Sequence, residues 1–319
     1  MIIASRFRPA WWLPGPHLQT LYPTFARRRI CPAVKRERLE LPDGDFIDID
    51  WTGNPQGSVV LVLHGLEGSL ESPYTGGILS KLATQGYRAG LMYFRGCSGE
   101  PNRLPRNYHS GDTGDLQTVI NHIGNIHPGK PLAVIGYSLG GNVLLKWLGE
   151  QGDKAAVTTA VAVSVPFDLD CVARRLEHGL SRIYQNHLLR KLRQTVRTKA
   201  NSRPPPVPLQ RLADLRTFRQ FDNAITAPLH GFRDVDDYYS QSSCRGWLRH
   251  IDTPVLIIHA VDDPFLPAAA IPQDAELSPA VTLELARHGG HVGFVGGRVP
   301  FAACYWLEQR ICRHLQARI

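Results

Sequence analysis

Residues 132–150 read LAVIGYSLGGNVLLKWLGE, and this stretch decides the fold. The apolar run at its start predicts a buried β-strand that ends at Gly136, and NVLLKWLGE has the spacing of a helix. Between them stands GYSLG, with Ser138 at its centre and Gly136 and Gly140 on either side, a match to the pattern G-x-S-x-G. A tight strand-to-helix turn of this kind pushes the serine hydroxyl out of the backbone, and small flanking residues make room for it. The pattern alone arises by chance in many proteins, but the strand and helix around it indicate that Ser138 is a nucleophile.

A serine hydroxyl is a weak nucleophile unless a histidine accepts its proton and a carboxylate orients that histidine. With this kind of turn, the acid and the histidine follow the serine in the chain, at the ends of later strands. The segment AVDDPFLP follows the predicted strand PVLIIHA and places Asp262 and Asp263 at that edge of the sheet. We favour Asp263 as the acid, because Pro264 and Pro267 fix the turn directly after it. We interpret Asp262 as a turn-forming or helix-capping neighbour.

A glycine-rich loop carries the candidate bases. The segment HGGHVGF, residues 288–294, follows the last predicted strand. We favour His291, because the glycines around it let the side chain reach back over the nucleophile, and His288 is the alternative. A histidine in a loop is ordinarily only solvated, but the order serine, acid, histidine argues against that interpretation here.

A serine nucleophile also needs two backbone N–H groups that bind the negative charge developing on the substrate oxygen. One is expected from Leu139, the residue after the nucleophile, and the other from the loop after the strand SVVLVL. That loop reads HGLEG, from His64 to Gly68. A His-Gly pair at a strand end lets the backbone turn its amides inward. We therefore nominate the N–H of Leu66, with His64 and Gly65 as supporting residues.

Strands and helices alternate along most of the chain, which predicts an α/β fold with a mostly parallel sheet and helices on both faces. The alternation stops after the strand AVTTAVAVSV and resumes at TPVLIIHA. The intervening residues are rich in arginine and helical in places, and NSRPPPVP at 201–208 breaks them up. We predict a core of residues 1–165, which begins with an N-terminal arm, and 251–319. An Arg-rich helical cap is inserted at 166–250, and the last helix is expected within 301–315.

The formal net charge of +8 is concentrated in the predicted cap. Between Arg174 and Arg219 stand 12 Lys/Arg against the two acids Glu177 and Asp214, a net of +10, which leaves −2 for the rest of the chain. Such a segment is typical of a solvated helical face, and the alternative is a peripheral surface for anionic membranes. No nucleic-acid-binding motif or stacking array accompanies it, so we expect no nucleic-acid partner.

Cysteine usage and hydropathy limit the class of protein. The six cysteines are scattered without a CxxC pair, which is typical of reduced thiols and predicts neither a disulfide framework nor a metal site. The chain has no apolar run of about 18 residues that predicts a membrane-spanning helix. The N-terminus has charge too early for a secretory signal. We therefore expect a cytoplasmic protein.

The motifs HGLEGS, YFRGCSGEPN, SGDTGDL, GYSLGGN, AVDDPFLP and GGHVGF, in this order, resemble the α/β-hydrolase superfamily. With the N-terminal segment WWLPGPHLQTLYPTFARR, they are most similar to the branch of the animal α/β-hydrolase-domain lipases and the fungal medium-chain ethyl-ester synthase/esterases. The resemblance covers nearly the whole chain. It implies an α/β-hydrolase fold, with a mostly parallel eight-stranded sheet flanked by helices and an inserted helical cap, in a soluble esterase of bacterial type.

Carried over position by position, the resemblance places a catalytic triad on Ser138, Asp263 and His291. It implies hydrolysis of small carboxylic esters, often with short or medium acyl chains, and no metal or organic cofactor. Some members act on phospholipids or transfer acyl groups to alcohols. Animal and fungal members often carry an N-terminal membrane anchor, and none is expected here. Two alternatives stay open, an acyltransferase that uses the same triad and a non-catalytic binding protein on the same fold. The sequence does not indicate the natural substrate or the oligomeric state.

Overall fold

The computed structural model describes residues 1–200, 204–300 and 302–319. Buried apolar strands form the centre of the molecule. The strands of the main sheet are β1 (Ile2–Ala4), β2 (Lys35–Glu40), β3 (Phe46–Gly53), β4 (Val59–Leu63), β5 (Arg88–Met92), β6 (Leu132–Tyr137), β7 (Thr159–Val163), β8 (Val255–Ala260) and β9 (Val281–Ala286). Over the described ranges, their order is β1-β9-β8-β7-β6-β4-β5-β3-β2. Neighbours are parallel from β1 to β5, and β3 and β2 continue the sheet by antiparallel pairing.

Each central strand is buried on both faces, because successive side chains alternate between two apolar clusters. In β4, Val59, Leu61 and Leu63 belong to one cluster, and Val60 and Val62 belong to the other. The continuous apolar run SVVLVL that marked this strand in the sequence is therefore the signature of a strand covered by helices on both sides.

The helices that cover the sheet, and those of the cap, have the following bounds. They are α1 (Pro16–Ala26), α2 (Thr75–Thr84), α3 (Thr113–Ile126), α4 (Leu139–Gln151), α5 (Leu169–Leu176), α6 (Ser181–Ala200), α7 (Phe218–Phe221), α8 (Ala227–His230), α9 (Val235–Ser242) and α10 (Trp306–Gln316). The last helix begins later than the pattern over 301–315 predicts. A short antiparallel pair, β10 (Val295–Gly296) with β11 (Cys304–Tyr305), precedes it, and Phe301 lies outside the described residues.

The main sheet has nine strands in the described residues, one more than the eight that the resemblance implies. The extra strand is β1, which pairs in parallel with β9 at the edge of the sheet. The amino group of Met1 also donates to the carbonyl of Val281 at 2.6 Å. Three residues are too short a run to stand out as a strand in the sequence, so this segment was expected only as part of an arm.

Helices α5 to α9 lie between β7 and β8, where the insertion is predicted. Their apolar residues form a cluster of their own, which contacts the core through Leu66 and Phe265. The buried ammonium of Lys199, near the end of α6, donates to Asn102 Oδ1 at 2.8 Å and to the Leu104 carbonyl at 2.7 Å. The first three residues of the predicted break at 201–208 lie outside the described residues. The exact boundaries 166 and 250 stay a prediction.

Two features, a membrane-spanning helix and a metal-binding group of side chains, are absent from the described residues. None of their helices is both long enough and apolar enough to cross a bilayer. Within the same ranges, no three His, Cys, Asp or Glu side chains are grouped so that they would hold a metal ion.

Candidate active site

Ser138 stands on a sharp turn between β6 and α4. Its backbone has φ +52° and ψ −118°, a strained conformation for a residue with a side chain. A Cβ at Gly140 would lie 2.6 Å from the His64 carbonyl oxygen, and one at Gly136 would lie 2.5 Å from the Gly140 carbonyl oxygen. Both positions therefore require glycine, because the turn presses the chain against itself and against the loop after β4. The G-x-S-x-G pattern of the sequence is explained by these contacts.

The structure brings Ser138, His291 and Asp263 into one hydrogen-bonded chain. His291 Nε2 lies 2.9 Å from Ser138 Oγ, and His291 Nδ1 lies 2.8 Å from Asp263 Oδ2. Burial on its own raises the pKa of Asp263, but the charge and the hydrogen bond of His291 outweigh it, so this pKa lies below its usual value. An ionised carboxylate only accepts hydrogen bonds, so Nδ1 carries the imidazole proton. Nε2 is then the acceptor for the hydroxyl proton of Ser138.

The loop that carries His291 is held by residues that the sequence patterns did not indicate. Thr20 Oγ1, on α1, accepts the His291 N–H at 2.9 Å, and Ser164 Oγ accepts the Val292 N–H at 2.9 Å. The Phe265 ring stacks on the imidazole, with ring centroids 3.9 Å apart. Thr20 is 271 positions from His291 in the chain, and no local pattern singles it out.

The two alternatives to the favoured acid and base lie beside the triad. Asp262 Oδ1 accepts the N–H groups of Gly289 and Gly290, at 2.9 and 3.1 Å, and Oδ2 lies 3.2 Å from His288 Nδ1. The His288 side chain is 61% exposed. Asp262 lies in the turn after β8, and its side chain also holds the start of the histidine loop.

His64 fixes the loop after β4 as a neutral side chain. Burial lowers the pKa of His64 to about 4. Its Nε2 accepts the Phe94 N–H at 3.2 Å, so Nδ1 carries the proton and donates to the Gly65 carbonyl at 2.7 Å. A Cβ at Gly65 would lie 3.3 Å from Ser138 Cβ. The loop therefore lies directly against the candidate nucleophile.

Two tyrosine hydroxyls accept hydrogen bonds from the backbone N–H groups on either side of Leu66. Tyr74 accepts the Gly65 N–H and Tyr108 accepts the Glu67 N–H, both at 2.8 Å. Over residues 1–200, 204–300 and 302–319, the N–H of Leu66 has no hydrogen-bond partner, and the same is true of Leu139 at the first position of α4. Both residues line a pocket with Ser138. Their amides are therefore available to an anionic oxygen.

Glu67 connects this loop to the cap. Its φ is +51°, and its carboxylate accepts hydrogen bonds from two hydroxyls. The Tyr108 hydroxyl donates to Oε1 at 2.9 Å, and the Thr195 hydroxyl, on α6, donates to Oε2 at 2.6 Å. No residue pattern indicates this link, because its members are far apart in the chain. The position of α6 and the conformation of the loop are coupled through one carboxylate.

Two pockets meet at Ser138. The first has about 860 Å³ of empty space, open solvent included, and Leu66, Leu139 and His291 also line it. The apolar cap residues in its wall include Leu169, Val172, Leu176, Leu188, Leu192 and Phe218. The second has about 1410 Å³ of empty space, again with open solvent included, and runs between α1, the loop after β4 and α6. Each pocket next to the serine has room for an organic group.

Residues 58–297 match the family model of the alpha/beta hydrolase fold. The chain is 43% identical to the "Putative esterase YheT" of Escherichia coli (strain K12), over 97% of this chain and 92% of that protein. It is 30% identical to the phospholipase ABHD3 of Homo sapiens, over 95% and 77% of the two chains. The solved esterase Pf2001 of Pyrococcus furiosus superposes with a TM-score of 0.61 at 18% identity, over 90% and 91% of the chains, and is similar in fold. The chain belongs to the α/β-hydrolase fold family.

Proposed function

We propose that this protein hydrolyses carboxylic esters of short- to medium-chain acids through an acyl-enzyme on Ser138. The observation that carries the proposal is the hydrogen-bonded chain from Ser138 through His291 to Asp263, which faces a largely apolar pocket. The names of the relatives, an esterase and a phospholipase, support an ester hydrolase of the serine type. The first pocket is assigned to the acyl group, because the apolar side chains of the cap form much of its wall.

Acylation begins when Ser138 Oγ attacks the ester carbonyl carbon while its proton moves to His291 Nε2. The imidazolium that forms is stabilised by Asp263, which is ionised and already bonded to Nδ1. The ester C–O bond then breaks, and the proton on Nε2 passes to the departing alkoxide. Water attacks the acyl-serine in the same way, with its proton moving to Nε2 and then to Ser138 Oγ as the acid departs.

The amides of Leu66 and Leu139 are assigned to the oxyanion that forms in each step. Both N–H groups lack a partner within the described residues, so an oxyanion would not compete with an existing bond. One donor of this kind contributes about 3 kcal/mol of transition-state stabilisation in serine proteases. His64 and Gly65 act by holding the loop, and neither touches the reacting atoms in this assignment.

Hydrolysis of p-nitrophenyl esters from acetate to palmitate tests the proposal. We expect kcat/KM to peak at short or medium acyl chains and to fall for palmitate, because the cap covers the acyl pocket. Product analysis in ethanol–water mixtures separates hydrolysis from acyl transfer. Turnover of no ester would contradict the proposal, and a profile that still rises at palmitate would contradict the assigned chain length.

Thr195→Val tests the link between the cap and the loop after β4. We expect kcat to fall roughly threefold to tenfold, because Glu67 loses its contact with α6 and part of the roughly tenfold or larger effect of a hydrogen bond to a charged group reaches the loop. The KM for short esters should change little, since Thr195 does not line the acyl pocket. Thr198→Val on the same helix is the matched control, because Thr198 bonds only within α6 among the described residues. Equal kcat values for the two variants would show that the loop does not depend on the cap.

A further inference from the structure

One part of the acyl-pocket wall is polar, although its surroundings are apolar. Asp222 lines the pocket together with Thr226 and Tyr239. It begins the π-helical turn Asp222–Thr226, which lies between α7 and α8 in the cap. Turns of this kind occur frequently at functional sites. The proposed reaction makes no use of this carboxylate.

The Asp222 carboxylate is buried without a cation. The residue is 9% exposed, and its two oxygens accept hydrogen bonds from the Thr226 hydroxyl at 2.6 Å and the Tyr239 hydroxyl at 2.7 Å. The nearby Arg219 is paired instead with Asp170 and Asp236. Within the residues that the structure describes, no Lys, Arg or His forms an ion pair with Asp222.

A buried carboxylate with only neutral partners costs stability, and proteins usually pair such a group or replace it. Burial raises the pKa of Asp222 to about 6. The pKa of Asp222 is therefore higher in the folded state than in the unfolded chain. The folded state loses stability as pH rises and the carboxyl ionises, and the loss is complete above about pH 6. An asparagine amide would also bond to both hydroxyls, because its oxygen accepts from one and its N–H₂ donates to the other. A costly charge in the wall of a substrate pocket therefore indicates a binding role.

His109 lines the same pocket and supports this interpretation. Its Nδ1 accepts the Gly111 N–H at 3.2 Å, so the ring proton is on Nε2. Burial lowers the pKa of His109, and the ring is neutral. Its ring packs against Tyr238, the neighbour of Tyr239, with centroids 5.8 Å apart. The pocket thus combines an anionic acceptor with a neutral polar ring, and no Lys or Arg that would favour an acidic substrate lines it among the described residues.

We infer that the acyl group of the substrate carries a hydrogen-bond donor, a hydroxyl or an ammonium, that binds Asp222. This inference rests on the proposed ester hydrolysis and specifies its substrate class. Each carboxylate oxygen accepts one protein hydroxyl and keeps a second lone pair for the substrate. A plain alkyl chain leaves that lone pair unsatisfied and desolvates the charge, so the site discriminates against it.

Matched ethyl esters of six- and eight-carbon acids test the inference with the wild-type protein. Each length is used as the plain acid, with a hydroxyl at carbon 3 or at the chain end, with a terminal amine, and as the half-ester of the diacid. We expect at least one donor-bearing ester to exceed the plain ester of its length by about tenfold or more in kcat/KM, as for a hydrogen bond to a charged group. The half-ester should be the poorest substrate, because its carboxylate is repelled by Asp222.

Asp222→Asn is the variant that removes the charge, and Asp214→Asn, at an exposed acid of the cap, is the matched control. We expect the ratio of donor-bearing to plain ester to fall severalfold in Asp222→Asn, because its amide oxygen is an uncharged and weaker acceptor, and to stay at the wild-type value in Asp214→Asn. At pH 8, Asp222→Asn should unfold at the same or a higher temperature than the wild type, because the uncompensated charge is gone. A lower unfolding temperature would indicate that the carboxylate also has a structural role, and the order of the wild-type rates would then decide the inference.

The outcomes separate this inference from the proposed function. If plain esters are hydrolysed at least as well as every donor-bearing ester, the inference is wrong and the esterase assignment stands. A donor preference that persists undiminished in Asp222→Asn would also overturn it, because the acceptor would be another group. Hydrolysis of no ester in either series would overturn both. If Asp222→Asn does not fold, the order of the wild-type rates decides: donor above plain above half-ester supports the inference, and any other order contradicts it.

Discussion

Ser138→Ala is expected to lower kcat for ester hydrolysis by a factor on the order of 10⁶, the loss measured when a serine nucleophile is removed from a triad. Without Oγ, no acyl-enzyme forms, and His291 has no hydroxyl to deprotonate. The fold should be unaffected, because alanine keeps the Cβ that already sits at φ +52°. Thermal unfolding should therefore occur at the wild-type temperature or slightly above it. The measurement is steady-state hydrolysis of a short p-nitrophenyl ester.

Covalent labelling by a fluorophosphonate gives a second readout of the same residue. The wild type should be labelled and Ser138→Ala should not. Ser110→Ala is the matched control, because Ser110 lines the same pocket but bonds to Tyr238 rather than to His291, and this variant should still be labelled. Labelling of Ser138→Ala at the wild-type rate would place the nucleophile elsewhere and would contradict the proposed mechanism.

The parts of the site that the sequence predicted are residues whose positions depend on one short segment of the chain. The strand and helix around Ser138, the acid after β8 and the histidine after β9 each lie at the end of a strand with a recognisable pattern. Parallel strands bring their carboxyl ends to one edge of a sheet, so their order in the chain placed these residues near each other. The glycines at 136 and 140 belong to the same short segment, and their close contacts explain why the motif is restricted.

The parts that the sequence did not predict depend on contacts between distant segments. Thr20 reaches the His291 loop only because α1 packs beside it, and Thr195 reaches Glu67 only because α6 crosses the pocket. Asp222 lies just after the basic segment from Arg174 to Arg219, and no residue pattern distinguishes it from the other acids of the predicted cap. Its isolation from cations appears only when the partners of Arg219 are known. Residue patterns predict whether a segment forms a helix or a strand. They do not predict which side chains of the cap face the core.

Asp263→Asn is expected to lower kcat by about 10⁴-fold, as the same change does in a serine protease. The carboxylate accepts the Nδ1 proton of His291, whereas the amide that replaces it can turn its N–H₂ group toward the ring. The imidazole then carries its proton on Nε2 and cannot accept the hydroxyl proton of Ser138. The charge that stabilises the imidazolium is lost as well. KM should change much less than kcat, because Asp263 bonds to Nδ1 of His291, whereas Ser138 bonds to Nε2.

Asp262→Asn is the matched comparison, since the two acids are adjacent in the chain and both were candidates for the same role. An asparagine Oδ1 still accepts the N–H groups of Gly289 and Gly290, so the brace of the histidine loop remains. Only the contact with the exposed His288 is lost, and exposed ion pairs contribute about 0–1 kcal/mol. We therefore expect less than a tenfold change in kcat. A large loss in Asp262→Asn with a small one in Asp263→Asn would reverse the assignment, because the acid that orients His291 must be the one whose charge the reaction requires.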